Sequence, residues 1–172
     1  VRFFSGFSLH EEQELFSGYL TRSAYSVAGF SKGAIDALEY CVAAEERIDL
    51  LQLISPAFFM DREASFKEKQ LEAFRKNSSL YLKQFLRNIA WPLKRDLTSY
   101  LAEEGEEELQ RLLYYSWEKE KLQAVKARGI RMEVYLGGRD KIINPTAAMA
   151  YFRPYAMVYF IKEGGHILDG QN

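Results

Sequence analysis

Apolar residues follow two rhythms along this chain. Short apolar-rich runs at 2–4, 24–28, 48–54, 131–136 and 156–161 read as strands. Between them the spacing is helical: over 10–21, then from Lys32 to about Glu46, where Ile35, Leu38 and Val42 share a stripe. Residues 57–117 carry no strand pattern, but Phe66, Leu71 and Phe74, then Tyr81, Phe85, Leu86 and Ile89, recur at helical spacing. A further helix should end at Lys126-Ala127-Arg128, where Gly129 supplies a left-handed stop, and Asn144-Pro145 should open a short one. Strands separated by helices predict an α/β chain of about five parallel strands, with a core over 1–56 and 118–172 and an all-helical cap inserted at 57–117.

Length agrees with a single domain, since 172 residues at 48% hydrophobic supply one core and too little for two. A formal charge of −1 removes the basic excess of a dedicated nucleic-acid binder. The single Cys41 forms no internal disulfide, and with two histidines it is too little for a structural zinc site. No apolar run approaches the roughly 18 residues of a membrane span, and VRFFSGFSLHEEQE lacks a signal peptide's apolar stretch. A soluble, cytoplasmic protein with no membrane partner is expected.

In a parallel sheet ligands sit at the carboxyl ends of the strands, so the strand-exit loops carry the candidate chemistry. Gly29-Phe30-Ser31-Lys32-Gly33 matches G-x-S-x-G between a strand and a helix, the context that the motif requires. A turn this tight strains the serine backbone and needs nearly bare neighbours, and it lifts the hydroxyl above the sheet. A serine needs a base, and His166 follows the last strand in a glycine-containing loop, whereas His10 precedes a charged helix and reads as solvent-facing or capping. Asp140 follows the penultimate strand and would orient the imidazole. Catalytic residues Ser31, Asp140 and His166 are therefore expected, in the chain order of α/β-hydrolases.

An oxyanion hole needs two N–H donors: Lys32, the residue after the nucleophile, and one from the loop after the neighbouring strand, for which Phe7 in Ser5-Gly6-Phe7 is the candidate. The Lys32 side chain opposes the helix dipole, so it is expected to reach water or to attract an anionic substrate.

These motifs resemble the α/β-hydrolase superfamily, and the short chain opening RFFSGFS and carrying AGFSKGA resembles a narrower group within it, the small pimeloyl-acyl-carrier-protein methyl ester esterases of biotin synthesis. The resemblance runs from Arg2-Phe3-Phe4-Ser5-Gly6-Phe7 through the elbow to Gly137-Gly138-Arg139-Asp140-Lys141 and Gly165-His166. It implies a reduced α/β-hydrolase fold and hydrolysis of the methyl ester that masks one end of a pimeloyl chain carried by the acyl carrier protein. No cofactor or metal is required. Only 24 positions separate Phe7 from Ser31, so the early strands and one strand-helix unit of larger superfamily members are expected to be missing. One sheet face would then lack its usual cover. Arg131, Glu133 and Tyr135, alternating with apolar neighbours on the fourth strand, should see water or a partner; either the helical insertion folds around that side or a second copy covers it, and the favoured cover is a homodimer.

The neutral total hides a polarised cap. Residues 62–95 hold nine basic side chains against three acidic ones, and 96–120 hold eight acidic against two basic. Either the blocks neutralise each other on a solvated face, or the basic one, with Lys69, Arg75, Lys76 and Arg87, docks the acidic carrier protein. Phe66, Phe74, Phe85 and Leu86 would line an acyl tunnel beneath. The competing expectations are a general small-ester carboxylesterase or acyl thioesterase, and a catalytically silent hydrolase-fold binding module.

Overall fold

Each strand after the first pairs with its predecessor in the chain. In the computed structural model, which describes residues 1–170, β1 (Arg2–Phe4), β2 (Ser26–Phe30), β3 (Leu50–Ile54), β4 (Arg131–Gly137) and β5 (Met157–Ile161) form one parallel sheet in the order β1-β2-β3-β4-β5. Helix α1 (Lys32–Ala43) packs against β1, β2 and β3. Later helices α5 (Lys119–Ala127) and α6 (Pro145–Phe152) extend that layer, α5 against α1 and α6 against β4 and β5. Val27, Leu51, Leu53, Met132, Val134 and Leu136 meet Ile35, Leu38, Leu122 and Phe152 in the main core. Each such side chain, fully buried, contributes about 1.5–3 kcal/mol.

Between β3 and α5 lie α2 (Ala64–Lys76), α3 (Ser78–Ala90) and α4 (Glu106–Tyr114). Helix α2 packs on both α3 and α4. The sequence supplies the starts: the Asn77 side chain accepts from the Leu80 N–H at 3.0 Å to cap α3, and Asn144 caps α6 with Pro145 in its first turn. Helices and connecting loops make up the inserted segment, and an antiparallel bridge between Leu9 and Leu101 ties it to the loop after β1.

The second sheet face is covered only in part. The β1–β2 connection lies over it, with Phe16 against Phe30 and Tyr19 against Tyr135. Of the three residues expected to see water or a partner, Arg131 is exposed, with 68% of its side chain accessible, whereas Glu133 (9%) and Tyr135 (8%) are buried within the chain. The reason is Gln52, in register beside Glu133. Its amide donates to Glu133 Oε2 at 3.0 Å and to the Tyr135 hydroxyl at 3.2 Å, and Tyr135 donates to the same carboxylate oxygen. Beyond β4 the face opens, and Met157 and Tyr159 on β5 are 61% and 44% exposed.

Local boundaries also differ from expectation. The helix expected over 10–21 is one 3-10 turn, Glu12–Phe16, closed by Ser17-Gly18. Helix α1 stops at Ala43 instead of about Glu46, because two glutamates at its carboxyl end would oppose the helix dipole. Strand β2 runs two residues later than the apolar pattern suggested, which delivers Ser31 directly from the strand.

Candidate active site

Ser31 leaves β2 and opens α1 with φ 55° and ψ −113°, a left-handed region that side-chain-bearing residues rarely occupy. Its neighbours must be bare: a Cβ on Gly29 would lie 2.0 Å from the Gly33 carbonyl oxygen, and one on Gly33 would lie 2.0 Å from the Phe4 carbonyl oxygen. Gly33 thereby lets the loop after β1 lie directly on the elbow. The Ser31 N–H donates to Ile54 O at 2.9 Å, and Ser31 O accepts from Ala57 N at 3.1 Å. The exit of β3 therefore bolts the elbow down.

The three strand-exit residues come together. His166 Nε2 lies 3.0 Å from Ser31 Oγ, and His166 Nδ1 lies 2.6 Å from Asp140 Oδ2. The other carboxylate oxygen, Oδ1, accepts from Ile142 N at 2.7 Å and Ile143 N at 3.1 Å, which fixes the plane of the Asp140 carboxylate. A carboxylate only accepts, so Nδ1 carries the proton and Nε2 is left to take one from the serine. His166 and Asp140 side chains are wholly buried, which excludes competing water from this relay. Ser55, at φ 43°, donates its hydroxyl to His166 O at 2.6 Å. Nothing in the sequence around Ser55 marks this role, because the partner is a carbonyl 111 positions away.

Among the described residues neither the Phe7 nor the Lys32 backbone N–H has an acceptor. The Lys32 side chain does not reach water or await a substrate. Its ammonium is buried among cap carboxylates, 2.9 Å from Glu104 and 3.1 Å from Glu108, with Asp36 at 3.8 Å. Burial alone would lower its pKa, but the hydrogen bonds to Glu104 and Glu108 and the nearby negative charge outweigh that and hold it above the usual lysine value. His10 is exposed, as its sequence position suggested.

A pocket of about 300 Å³ opens onto Ser31. Phe59, Phe66, Phe85 and Leu109 line it with the amides of Gln84 and Asn88. Of the four expected tunnel residues, Phe66 and Phe85 take part. Phe74 packs behind Phe7, and Leu86 turns to a separate groove of about 730 Å³ on the far side of α3. Arg87 lines that groove with Lys83, Lys94 and Arg95. Lys69 and Lys76 are exposed on α2, while Arg75 pairs with Glu106. The opposite charge blocks thus neutralise each other at that point and not along their whole length. Among the described residues no group of three or more His, Cys, Asp or Glu is placed to hold a metal ion. No helix among them is long and apolar enough to cross a membrane.

No protein family and no curated protein matches the chain in sequence. Solved structures do match in fold. BioG from Haemophilus influenzae superposes with a TM-score of 0.58 at 17% identity, over 96% of this chain and 87% of its own. A carboxylesterase structure from the thaumarchaeon Nitrososphaera gargenis gives 0.58 at 15% identity, over 82% of this chain and 57% of its own. MenH from S. aureus gives 0.56 at 13% identity, over 98% and 84%. The chain thus spans little more than half of the thaumarchaeal enzyme but most of the other two. Five sequential parallel strands, a serine on a strained strand-to-helix turn and these likenesses together establish a reduced α/β-hydrolase fold.

Proposed function

We propose that the protein is a serine carboxylesterase that hydrolyses the methyl ester of pimeloyl-acyl-carrier protein, giving methanol and the free-carboxylate pimeloyl-acyl-carrier protein. The observation that carries the reading is His166, bonded on one side to Asp140 and on the other to Ser31, which itself lines a largely apolar pocket. Ser31 Oγ attacks the ester carbonyl while its proton passes to His166 Nε2. The oxyanion that forms faces the unpaired N–H groups of Phe7 and Lys32. Methanol leaves with the proton from Nε2. Water, deprotonated by the same nitrogen, then attacks the acyl-enzyme and releases the carboxylate.

The substrate assignment rests on further support. Phe59, Phe66, Phe85 and Leu109 offer a methylene chain an apolar lining. Exposed Lys69, Lys76 and Arg87 offer an acidic carrier a cationic approach. The fold likeness to BioG spans 87% of that protein, so a chain of comparable brevity has this architecture.

The test is incubation with carrier-bound methyl pimelate, followed by intact mass. Loss of one methylene unit from the carrier conjugate, absent with Ser31→Ala, is expected. An unchanged conjugate alongside brisk hydrolysis of soluble esters would favour a general carboxylesterase, and cleavage at the carrier linkage would favour a thioesterase. Failure of a fluorophosphonate to label Ser31 would leave a silent binding module.

A further inference from the structure

The loop that carries Phe7 is held from both sides by glutamates. Gly6 N–H donates to Glu12 Oε1 at 2.7 Å, and Ser8 N–H donates to Glu104 Oε2 at 2.8 Å. Phe7 lies between these two tethered amides, and its own N–H has no acceptor among the described residues. Charged acceptors make the stronger class of hydrogen bond, so the two ends of this short turn are fixed with more force than ordinary loop contacts supply.

Glu104 has a second connection. Its other oxygen, Oε1, accepts from the Lys32 ammonium at 2.9 Å, and the backbone N–H of Lys32 is the other candidate oxyanion donor. One carboxylate therefore bonds Lys32, whose N–H is one candidate donor, and Ser8, the residue that follows the other candidate, Phe7. The segment carrying it is stitched to the same loop by backbone bonds, from His10 N to Tyr100 O at 2.9 Å and from Ala102 N to Ser8 O at 2.8 Å. Glu104 N–H also donates back to the Ser8 hydroxyl at 3.3 Å.

We infer that Glu104 is a positioning residue that assembles the oxyanion hole from the cap side, with Glu12 as its counterpart from the core side. This rests on the esterase reading of Ser31. Glu12 carries an independent sign of such a role. It is fully buried, and its second oxygen, Oε2, has no partner among the described residues. A buried acceptor left unpaired costs stability, so this carboxylate fixes the Gly6 amide at the expense of a more comfortable core. The consequence for catalysis is selective. An oxyanion donor must sit correctly for the transition state, whereas ester binding in the pocket depends on Phe66, Phe85 and their neighbours.

The experiment compares Glu104→Ala, Glu104→Gln and Glu104→Asp with the unaltered protein. Four quantities are read: kcat and KM on a p-nitrophenyl ester, inhibition by a trifluoromethyl ketone that forms the tetrahedral adduct, fluorophosphonate labelling of Ser31, and Tm. Glu104→Ala should lower kcat about 10- to 100-fold, short of the ~10²–10³ for a missing donor. Trifluoromethyl ketone affinity should fall in step and KM change little. Glu104→Gln keeps an oxygen for the Ser8 N–H and should restore most of the rate. Glu104→Asp withdraws that oxygen by one methylene and should lose about 10-fold or more, since a misplacement of about 1 Å costs up to ~10²-fold.

A fall in Tm with kcat and ketone affinity unchanged would overturn the inference, making Glu104 a structural staple. Should Glu104→Ala fail to fold, the contrast between Gln and Asp decides, and equal rates for those two would overturn it. If the unaltered protein neither labels nor hydrolyses any ester, it is the esterase reading that has failed.

Discussion

Asp140 holds His166 with one carboxylate oxygen and its own loop with the other. Oδ2 lies 2.6 Å from His166 Nδ1, while Oδ1 accepts the Ile142 and Ile143 N–H groups. Asp140→Asn should therefore preserve the loop, because the amide oxygen can keep those two bonds. Its NH₂ group then faces Nδ1 and forces the imidazole proton onto Nε2, where it blocks proton transfer from Ser31. The expected loss in kcat is about 10⁴-fold, the size seen when a triad aspartate is replaced in this way. Steady-state kinetics with circular dichroism as a fold control checks this, and near-normal turnover would remove Asp140 from the relay.

Ser55→Ala tests the second tether on the histidine loop. The substitution leaves the buried His166 carbonyl without its 2.6 Å donor, at a cost of about 1–3 kcal/mol in stability. Chemical denaturation should show that loss. kcat should fall as well, by less than in the Asp140 variant, because the imidazole keeps its bond to Asp140. An unchanged unfolding midpoint would mean that the carbonyl finds another donor.

Lys32→Met should expose a pH-dependent part of stability. Folding raises the Lys32 pKa, so the folded protein holds that proton more tightly than the unfolded chain. The contribution is full below the ordinary lysine value of about 10.4 and is lost as pH rises through the higher folded value. The Tm deficit of the variant should be constant from neutral pH to about pH 10 and shrink above it. A deficit that grows with alkalinity would contradict the assignment of charge to this network.

Charge reversal at Lys69, Lys76 and Arg87 should raise KM for the carrier-bound ester and leave a small soluble ester nearly unaffected, with the difference fading at high salt. Arg75 stands apart. It pairs with Glu106 at the start of α4, so Arg75→Glu sets two carboxylates against each other and should also lower Tm. Equal losses on both substrates for the three-residue variant would indicate a damaged cap, and no loss on either would remove these positions from the dock.

Ser31, Asp140 and His166 were legible because each combines a telling residue type with a strand exit, and parallel sheets gather such exits at one edge. Glu12, Ser55 and Glu104 were not, because their roles are tertiary: Ser8 and Glu104 lie 96 positions apart, and nothing local in either segment marks the pairing. Lys32 shows the limit from the other side. Its place at a helix N-terminus argued for a solvated cation, and only the fold reveals the carboxylates that meet it there. Gln52 likewise rewrote the alternation on β4, since a polar residue in register on the adjacent strand lets Glu133 be buried.

The sequential strand order bears on how the protein comes off the ribosome. With β2 and β3 each resting on the strand made before it, the elbow and α1 can settle while translation continues. His166 is synthesised 135 residues after Ser31, and Glu104 emerges between them. A nascent chain with its elbow settled would therefore carry a serine with no imidazole beside it. On the esterase reading, cleavage would begin only once β5 has added to the sheet edge and brought its loop across, after the inserted helices that line the pocket have been made.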